Sequence, residues 1–122
     1  MIRRTITIDG KDVPFAASAS VPRIYRTLYG RDVFKDMKRL FDEMNSKEDE
    51  VSVPSLEIFE NLAHCMAYHA DPQNVPPDPA EWLDQFSTFS IYQVLPQLIE
   101  LWGTNTRRDV DSKKKLNELA AK

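Results

Sequence analysis

The chain has 122 residues, of which 42% are hydrophobic and 29% are charged, and it contains one cysteine. This length is typical of one domain with its own core, and no apolar run approaches the roughly 20 residues that span a bilayer, so the composition excludes a disordered tail and a membrane protein. A single cysteine excludes an internal disulfide. Because no apolar signal region follows the first residues, we expect a cytoplasmic protein with no membrane partner.

The net charge of −3 hides three blocks of opposite sign. Residues 1–45 hold nine Lys/Arg and six Asp/Glu, residues 46–105 hold one and ten, and residues 106–122 hold six and three, which gives +3, −9 and +3. An acidic middle repels phosphate backbones, so we expect no nucleic-acid partner.

The first element that the sequence predicts is a β-hairpin over about residues 2–17. Thr5-Ile6-Thr7-Ile8 is rich in β-branched residues, and Asp9-Gly10 follows as a strong hairpin turn signal. Val13-Pro14-Phe15-Ala16 can pair back, although Pro14 lacks a backbone donor and therefore favours a short or edge strand. Two strands are marginal alone and must pack on something else.

Two helices are predicted next. Ser18 and Ser20 are candidate N-caps for a short helix that Gly30 ends in the left-handed conformation. Asp32 can cap a second helix from Val33 to Met44, which has apolar residues at helical spacing and a basic opposite side. On that helix, Asp36 is expected to pair with basic neighbours such as Arg39.

The third helix, about Leu56 to Ala70, carries the widest apolar stripe and should be central. The polar residues 45–50 before it show no periodicity and indicate a solvated loop. The four prolines within residues 71–79 predict an extended link after it.

Two further helices complete the prediction. Asp78 followed by Pro79 is a good start for a short helix that contains Trp82 and Phe86. A last helix from about Thr88 to Trp102 should be kinked at Pro96, unless it starts late enough to place Pro96 in its first turn, and Gly103 fits its end. The fold class is therefore mainly α (α+β): a small N-terminal β-hairpin and a bundle of about five helices form one domain over residues 1–105. Residues 106–122 form a polar tail that we expect to be disordered.

Catalytic chemistry has little support in the sequence. His64-Cys65 with His69 and Asp71 is the cluster that most resembles a metal or nucleophile site, but a zinc site needs three or four tetrahedral ligands. We expect Cys65 in the core and the two histidines at its rim. The three glycines are isolated, so no phosphate loop is predicted. The sequence therefore predicts no enzyme, no metal and no cofactor.

A partner-binding surface has more support, because aromatic residues are favoured at interfaces. The residues that we expect to bind a partner are aromatic or basic: Tyr25, Arg26, Tyr29, Arg31, Trp82, Phe86 and Tyr92. The alternatives are ordinary core packing for the aromatic residues and a solvated helix face for the basic ones.

Three stretches together resemble one known family. The first is Pro22-Arg23-Ile24-Tyr25-Arg26-Thr27-Leu28-Tyr29-Gly30-Arg31-Asp32 followed by Asp36, and the second is Glu60-Asn61-Leu62-Ala63-His64-Cys65-Met66-Ala67 running to Ala70-Asp71-Pro72. The third is Glu81-Trp82-Leu83-Asp84-Gln85-Phe86, then Ile91-Tyr92-Gln93-Val94-Leu95-Pro96, then Leu101-Trp102 and Asn105. In their order and spacing, over about residues 2–105, they resemble the tail assembly chaperones of long, non-contractile-tailed phages and prophages of Gram-positive bacteria.

This resemblance implies a non-catalytic protein that binds the tape-measure protein, helps to recruit tail-tube subunits and is absent from the mature virion. It also implies a longer form made by programmed frameshifting, for which Lys113-Lys114-Lys115 is a candidate position because lysine codons are A-rich. From the charge blocks we expect head-to-tail self-association into a homo-oligomer. The alternatives are a structural adaptor retained in the virion, a thiol- or metal-dependent enzyme at Cys65 and His69, and a basic-faced nucleic-acid regulator.

Overall fold

The computed structural model describes residues 1–44, 53–87 and 90–102. It begins with a two-stranded antiparallel sheet, β1 (Ile2–Ile8) and β2 (Lys11–Ala17). Six helical segments follow within the described residues: α1 (Val21–Tyr29), α2 (Val33–Met44), α3 (Val53–Ala70), α4 (Pro79–Leu83), α5 (Ser90–Gln93) and α6 (residues 95–102). The predicted fold class, a mainly α protein with an N-terminal hairpin, is confirmed.

The hairpin turns at the predicted dipeptide. Asp9 and Gly10 have φ values of +52° and +76°, as a two-residue type I′ turn requires, and Ile8 pairs with Lys11 on either side of it. The pairing continues without a bulge to Ile2 and Ala17. The inward side chains of both strands are buried, and β2 lies against α3, which supplies the packing that two strands need.

The ends of α1 and α2 follow local chemistry with one exception. Gly30 has φ +67° and donates its N–H to the Arg26 carbonyl at 2.8 Å, which confirms the predicted left-handed cap. Asp32 accepts from the Phe34 N–H at 2.8 Å and so caps α2 as predicted. The exception is at the start of α1, where the two N-cap candidates differ. Ser18 Oγ accepts from the Ser20 N–H at 3.1 Å, whereas Ser20 occupies the N-cap position with a helical backbone and makes no side-chain cap bond.

The central helix is α3, as predicted. It begins at Val53, three residues before the expected start, with proline in its first turn, where the missing N–H costs no helical bond. It contacts β2, α1, α2 and α4. Its buried side chains form the middle of one continuous core cluster that runs from Ile6 to Trp102.

The last predicted helix is broken in two. The chain leaves helical geometry at Val94 between α5 and α6, and Pro96 falls in the first turn of α6. The Val94 carbonyl accepts from the N–H groups of Gln97 at 3.0 Å and Leu98 at 3.1 Å, so α6 starts late enough to contain Pro96 without a kink, which was the alternative that the sequence allowed.

Asp78 caps α4 as predicted, because its Oδ1 accepts from the Ala80 N–H at 3.0 Å. The predicted loop at 45–50, the stop at Gly103 and the tail at 106–122 lie outside the described residues. Along the described ranges, no helix combines the length and apolarity that crossing a bilayer would require.

Candidate partner-binding surface

Tyr25, from the predicted binding set, lies in the interior and joins α1 to α2. Its ring has no exposed surface, and its hydroxyl donates to Asp36 Oδ2 at 2.7 Å. Asp36 is itself only 5% exposed and also accepts two bonds from Arg31, from Nε at 2.7 Å and from a terminal guanidinium nitrogen at 2.8 Å. The expected pairing of Asp36 along its own helix is therefore wrong, because Asp36 faces inward and its hydrogen bonds come from Tyr25 and Arg31.

The electrostatics of this cluster favour an ionised Asp36. Burial alone would raise the pKa of Asp36, but the hydrogen bonds from Arg31 and Tyr25, with the charge of Arg31, outweigh burial and lower it. Burial and the neighbouring Asp36 raise the pKa of Tyr25, so its hydroxyl keeps its proton and acts as a donor. The arrangement holds the α1–α2 corner together.

His64 forms a second buried junction, between α1, α3 and the proline-rich link. Its Nε2 lies 2.7 Å from the Pro76 carbonyl oxygen, which can only accept, so Nε2 carries the hydrogen. Its Nδ1 is then the acceptor for the Tyr29 hydroxyl at 2.5 Å. Burial lowers the pKa of His64, which favours the neutral ring. A neutral ring with its hydrogen on Nε2 makes both of these hydrogen bonds. The prediction that His64 lies at the rim of the core is wrong, since the side chain is fully buried.

The other residues of the predicted chemical cluster have separate partners. Cys65 is buried as expected, its thiol points to the Val21 carbonyl oxygen at 3.8 Å, and burial raises its pKa to about 12, so it is neither a thiolate nor a nucleophile at neutral pH. His69 is half-buried, and its Nε2 lies 2.8 Å from the Ser18 hydroxyl, a contact that sequence reasoning did not anticipate. Within the described residues, no group of three or more His, Cys, Asp or Glu side chains converges to hold a metal ion.

The aromatic residues of α4, of the turn after it and of α5 differ in access. Phe86 lies in that turn, because α4 ends at Leu83 and does not extend to Phe86 as predicted. Trp82 is only 2% exposed and lies among three rings, Phe15, His64 and Phe86, with centroid distances of 6.4, 5.8 and 5.0 Å. Phe86 and Tyr92 are half-buried. The Tyr92 hydroxyl donates to Glu60, and this bond raises the pKa of Tyr92 to about 12.

The predicted binding set therefore divides into three groups. Tyr25 and Trp82 are core residues whose rings are closed to a partner in this structure. Tyr29, Phe86 and Tyr92 are half-buried, with one side of each available. Arg26 and Arg31 are exposed, although the Arg31 guanidinium is held by Asp36.

Sequence reasoning missed an exposed aromatic residue on α2. Phe34 is 54% exposed, and its ring lies 5.8 Å from the buried Trp102 ring. It lines a depression of about 360 Å³ with Arg26 and Arg31. A second depression, of about 250 Å³, is lined by Arg31 together with Arg39, Glu57, Ile58 and Asn61. Arg31 thus lines both depressions, and each also contains a carboxylate, Asp32 in the first and Glu57 in the second.

No protein-family model, curated protein or solved structure matches the chain significantly.

Proposed function

We propose that this protein is a tail assembly chaperone of a long, non-contractile-tailed phage or prophage. In this proposal it binds the tape-measure protein in the host cytoplasm, keeps that long helical client from aggregating and helps to recruit tail-tube subunits. It performs no catalysis and is absent from the mature virion. The observation that carries the proposal is the order and spacing of the three stretches that resemble this family.

The three stretches that carry the resemblance contact one another in the folded chain. This supports the interpretation that the resemblance reflects a fold shared with the family. Tyr29 comes from the first stretch, His64 from the second and Trp82 from the third. The Tyr29 hydroxyl lies 2.5 Å from His64 Nδ1, and the His64 and Trp82 ring centroids are 5.8 Å apart. Residues that meet in one buried cluster specify how helices pack, so client recognition must come from accessible side chains instead.

The chemistry of the interior supports a binding role rather than catalysis. Cys65 and His64 are fully buried, and the contacts of both are structural. A chaperone for a helical client needs an accessible apolar contact with a polar rim, not a nucleophile. Phe86 and Tyr92, half-buried beside an acidic segment, fit that requirement and are the proposed client contacts.

Co-expression with the tape-measure protein of the same phage tests the proposal directly. We expect the client to remain in the supernatant with the wild-type chain and to copurify with it. The Phe86→Ala variant should lose most of this effect. Phe41→Ala is the matched control, because Phe41 is also a half-buried phenylalanine but lies on α2. A client that stays insoluble with the wild-type chain, or equal losses for both variants, would contradict the proposal.

The structural adaptor is the competing proposal, and the composition of the particle separates the two. Mass spectrometry of purified virions should detect the tail-tube protein and the tape-measure protein but not this chain. Its presence in the virions at a stoichiometric level would favour the adaptor.

A further inference from the structure

The tip of the β-hairpin contacts the turn after α4 and the start of α5. Asp9 Oδ2 accepts the Ser87 N–H at 2.7 Å, and Asp9 Oδ1 accepts the Ser87 hydroxyl at 3.2 Å. Asp9 Oδ1 also accepts the hydroxyl of Ser90, the first residue of α5. One carboxylate therefore binds three donors on residues that lie 78 and 81 positions further along the chain.

A second contact of the hairpin tip lies on the other side of Phe86. Lys11 Nζ donates to the Gln85 carbonyl oxygen at 3.4 Å. Gln85 and Ser87 are the chain neighbours of Phe86, so the hairpin tip binds the backbone directly before and directly after this residue. Among the hydrogen bonds between described residues, the others made by residues 85–87 reach partners only three positions away. The hairpin tip thus supplies the long-range hydrogen bonds of this turn.

The hairpin is a firm support for these contacts, because it is packed into the core. β2 contacts α3, and Phe15 of β2 is fully buried with its ring 6.4 Å from the Trp82 ring. The strand pairing extends to Ile8 and Lys11 on either side of the turn. The Phe86 ring lies edge-on to the same Trp82 ring, at 5.0 Å. The ring of Phe86 is therefore placed by Trp82, and the backbone beside it is placed by the hairpin tip.

We propose that Asp9 is a positioning residue, which fixes the backbone beside Phe86 and so holds the accessible side of the Phe86 ring in place for the client. This inference rests on the proposed function, in which Phe86 and Tyr92 contact the tape-measure protein. A side chain that is ordered before binding avoids the entropic cost of ordering it in the complex, which favours affinity. Hydrogen bonds from Ser90 and Ser87 lower the pKa of Asp9 below its ordinary 3.8, so the carboxylate is ionised at neutral pH and its hydrogen bonds are charge-assisted.

Amide hydrogen exchange of the purified full-length chain, followed by NMR, tests the contact without a client. Asp9→Gly removes the carboxylate, and glycine still adopts the positive φ that the hairpin turn requires. The Ser87 amide loses its acceptor, so we expect it to exchange about threefold faster or more, a modest factor because charged bonds at the surface are individually weak. Asp12→Asn is the matched control, since Asp12 is also an exposed aspartate of the hairpin but accepts from Thr7 within it, at 2.8 Å. It should leave exchange of the Ser87 amide unchanged.

Co-expression with the tape-measure protein tests the consequence for the client. The amount of soluble client should fall by about threefold or more with Asp9→Gly, and it should equal the wild-type amount with Asp12→Asn. Asp9→Asn should lie between them, because Asn-Gly preserves the turn while a neutral amide makes weaker hydrogen bonds than a carboxylate. Gly30→Ala separates positioning from stability, since it strains the end of α1 and leaves the hairpin tip intact, so it should retain the client.

The outcomes distinguish this inference from the proposed function. A client that stays insoluble with the wild-type chain contradicts the proposed function, and with it the role of Asp9 toward the client. A client that is retained equally by the wild type and by Asp9→Gly overturns this inference alone. The same holds if the Ser87 amide exchanges at one rate in Asp9→Gly and Asp12→Asn, or if Gly30→Ala loses as much client as Asp9→Gly.

Discussion

The hydrogen bonds to Asp36 allow the stability losses of two variants, Tyr25→Phe and Arg31→Met, to be compared. We expect the loss to be larger for the variant that removes the more buried donor. Tyr25→Phe removes a fully buried hydroxyl that donates to the carboxylate at 2.7 Å. A hydrogen bond to a charged group contributes about 1.5–3 kcal/mol, so we expect a loss of about 2 kcal/mol in the free energy of unfolding. Arg31→Met removes two bonds, but the arginine side chain is 50% exposed and water can replace them, so we expect about 1 kcal/mol or less.

Urea denaturation at pH 7, followed by circular dichroism, measures both losses. Tyr68→Phe is the control, because Tyr68 is half-buried and its hydroxyl makes no hydrogen bond to the described residues, so we expect almost no change. Because the pKa of Asp36 is lowered on folding, its contribution is present at pH values above its ordinary value of 3.8 and is lost as the pH falls through the lowered value. The Tyr25→Phe loss should therefore shrink in acid. A larger loss for Arg31→Met than for Tyr25→Phe at pH 7 would refute the reasoning.

Two further predictions concern a buried base and a helix end. Burial lowers the pKa of His64 below its ordinary 6.5, so the free energy of unfolding should fall as the pH drops below that value, by at most about 1.4 kcal/mol per pH unit for this residue. In pH-dependent denaturation His64→Gln should flatten that slope more than His69→Gln, and equal slopes in both variants would contradict the role of His64. Gly30→Ala should cost about 1 kcal/mol, because φ is +67° and no atom lies within 4 Å of an added Cβ, so the cost is backbone strain alone. In thermal denaturation the melting temperature of Gly30→Asn should lie between those of the wild type and Gly30→Ala, because asparagine tolerates this conformation. A melting temperature of Gly30→Ala equal to that of the wild type would show that the cap is unimportant.

The sequence predicted the features of the fold that depend on neighbouring residues. The Asp9-Gly10 turn, the Gly30 cap and the Asp78 cap each follow from a conformation or a hydrogen bond within a few residues, so no knowledge of the rest of the chain is needed. Ser20 failed the same kind of reasoning because its backbone adopts the helical region, where the side chain does not reach the N–H groups of the first turn.

The candidate site was harder to predict, because exposure depends on contacts between distant residues. Tyr25 and Trp82 were expected on a binding surface, yet their partners Asp36 and Phe15 lie far enough along the chain that helical spacing alone does not reveal them. Phe34 was overlooked, although its exposure could have been predicted from helical spacing. It stands beside Val33, but the helical spacing of Val33, Met37 and Leu40 defines the buried side of α2, and Phe34 lies off that side.

The positions of the two tryptophans give the protein two separate fluorescence reporters. The Trp82 ring lies 5.8 Å from the His64 ring, whereas the Trp102 ring lies 5.8 Å from the ring of the exposed Phe34 on α2. A chain that keeps Trp82 alone therefore has an emission that follows protonation of the buried imidazole. A chain that keeps Trp102 alone has an emission that responds to changes around the exposed Phe34 ring, so the two regions can be observed independently without an attached dye.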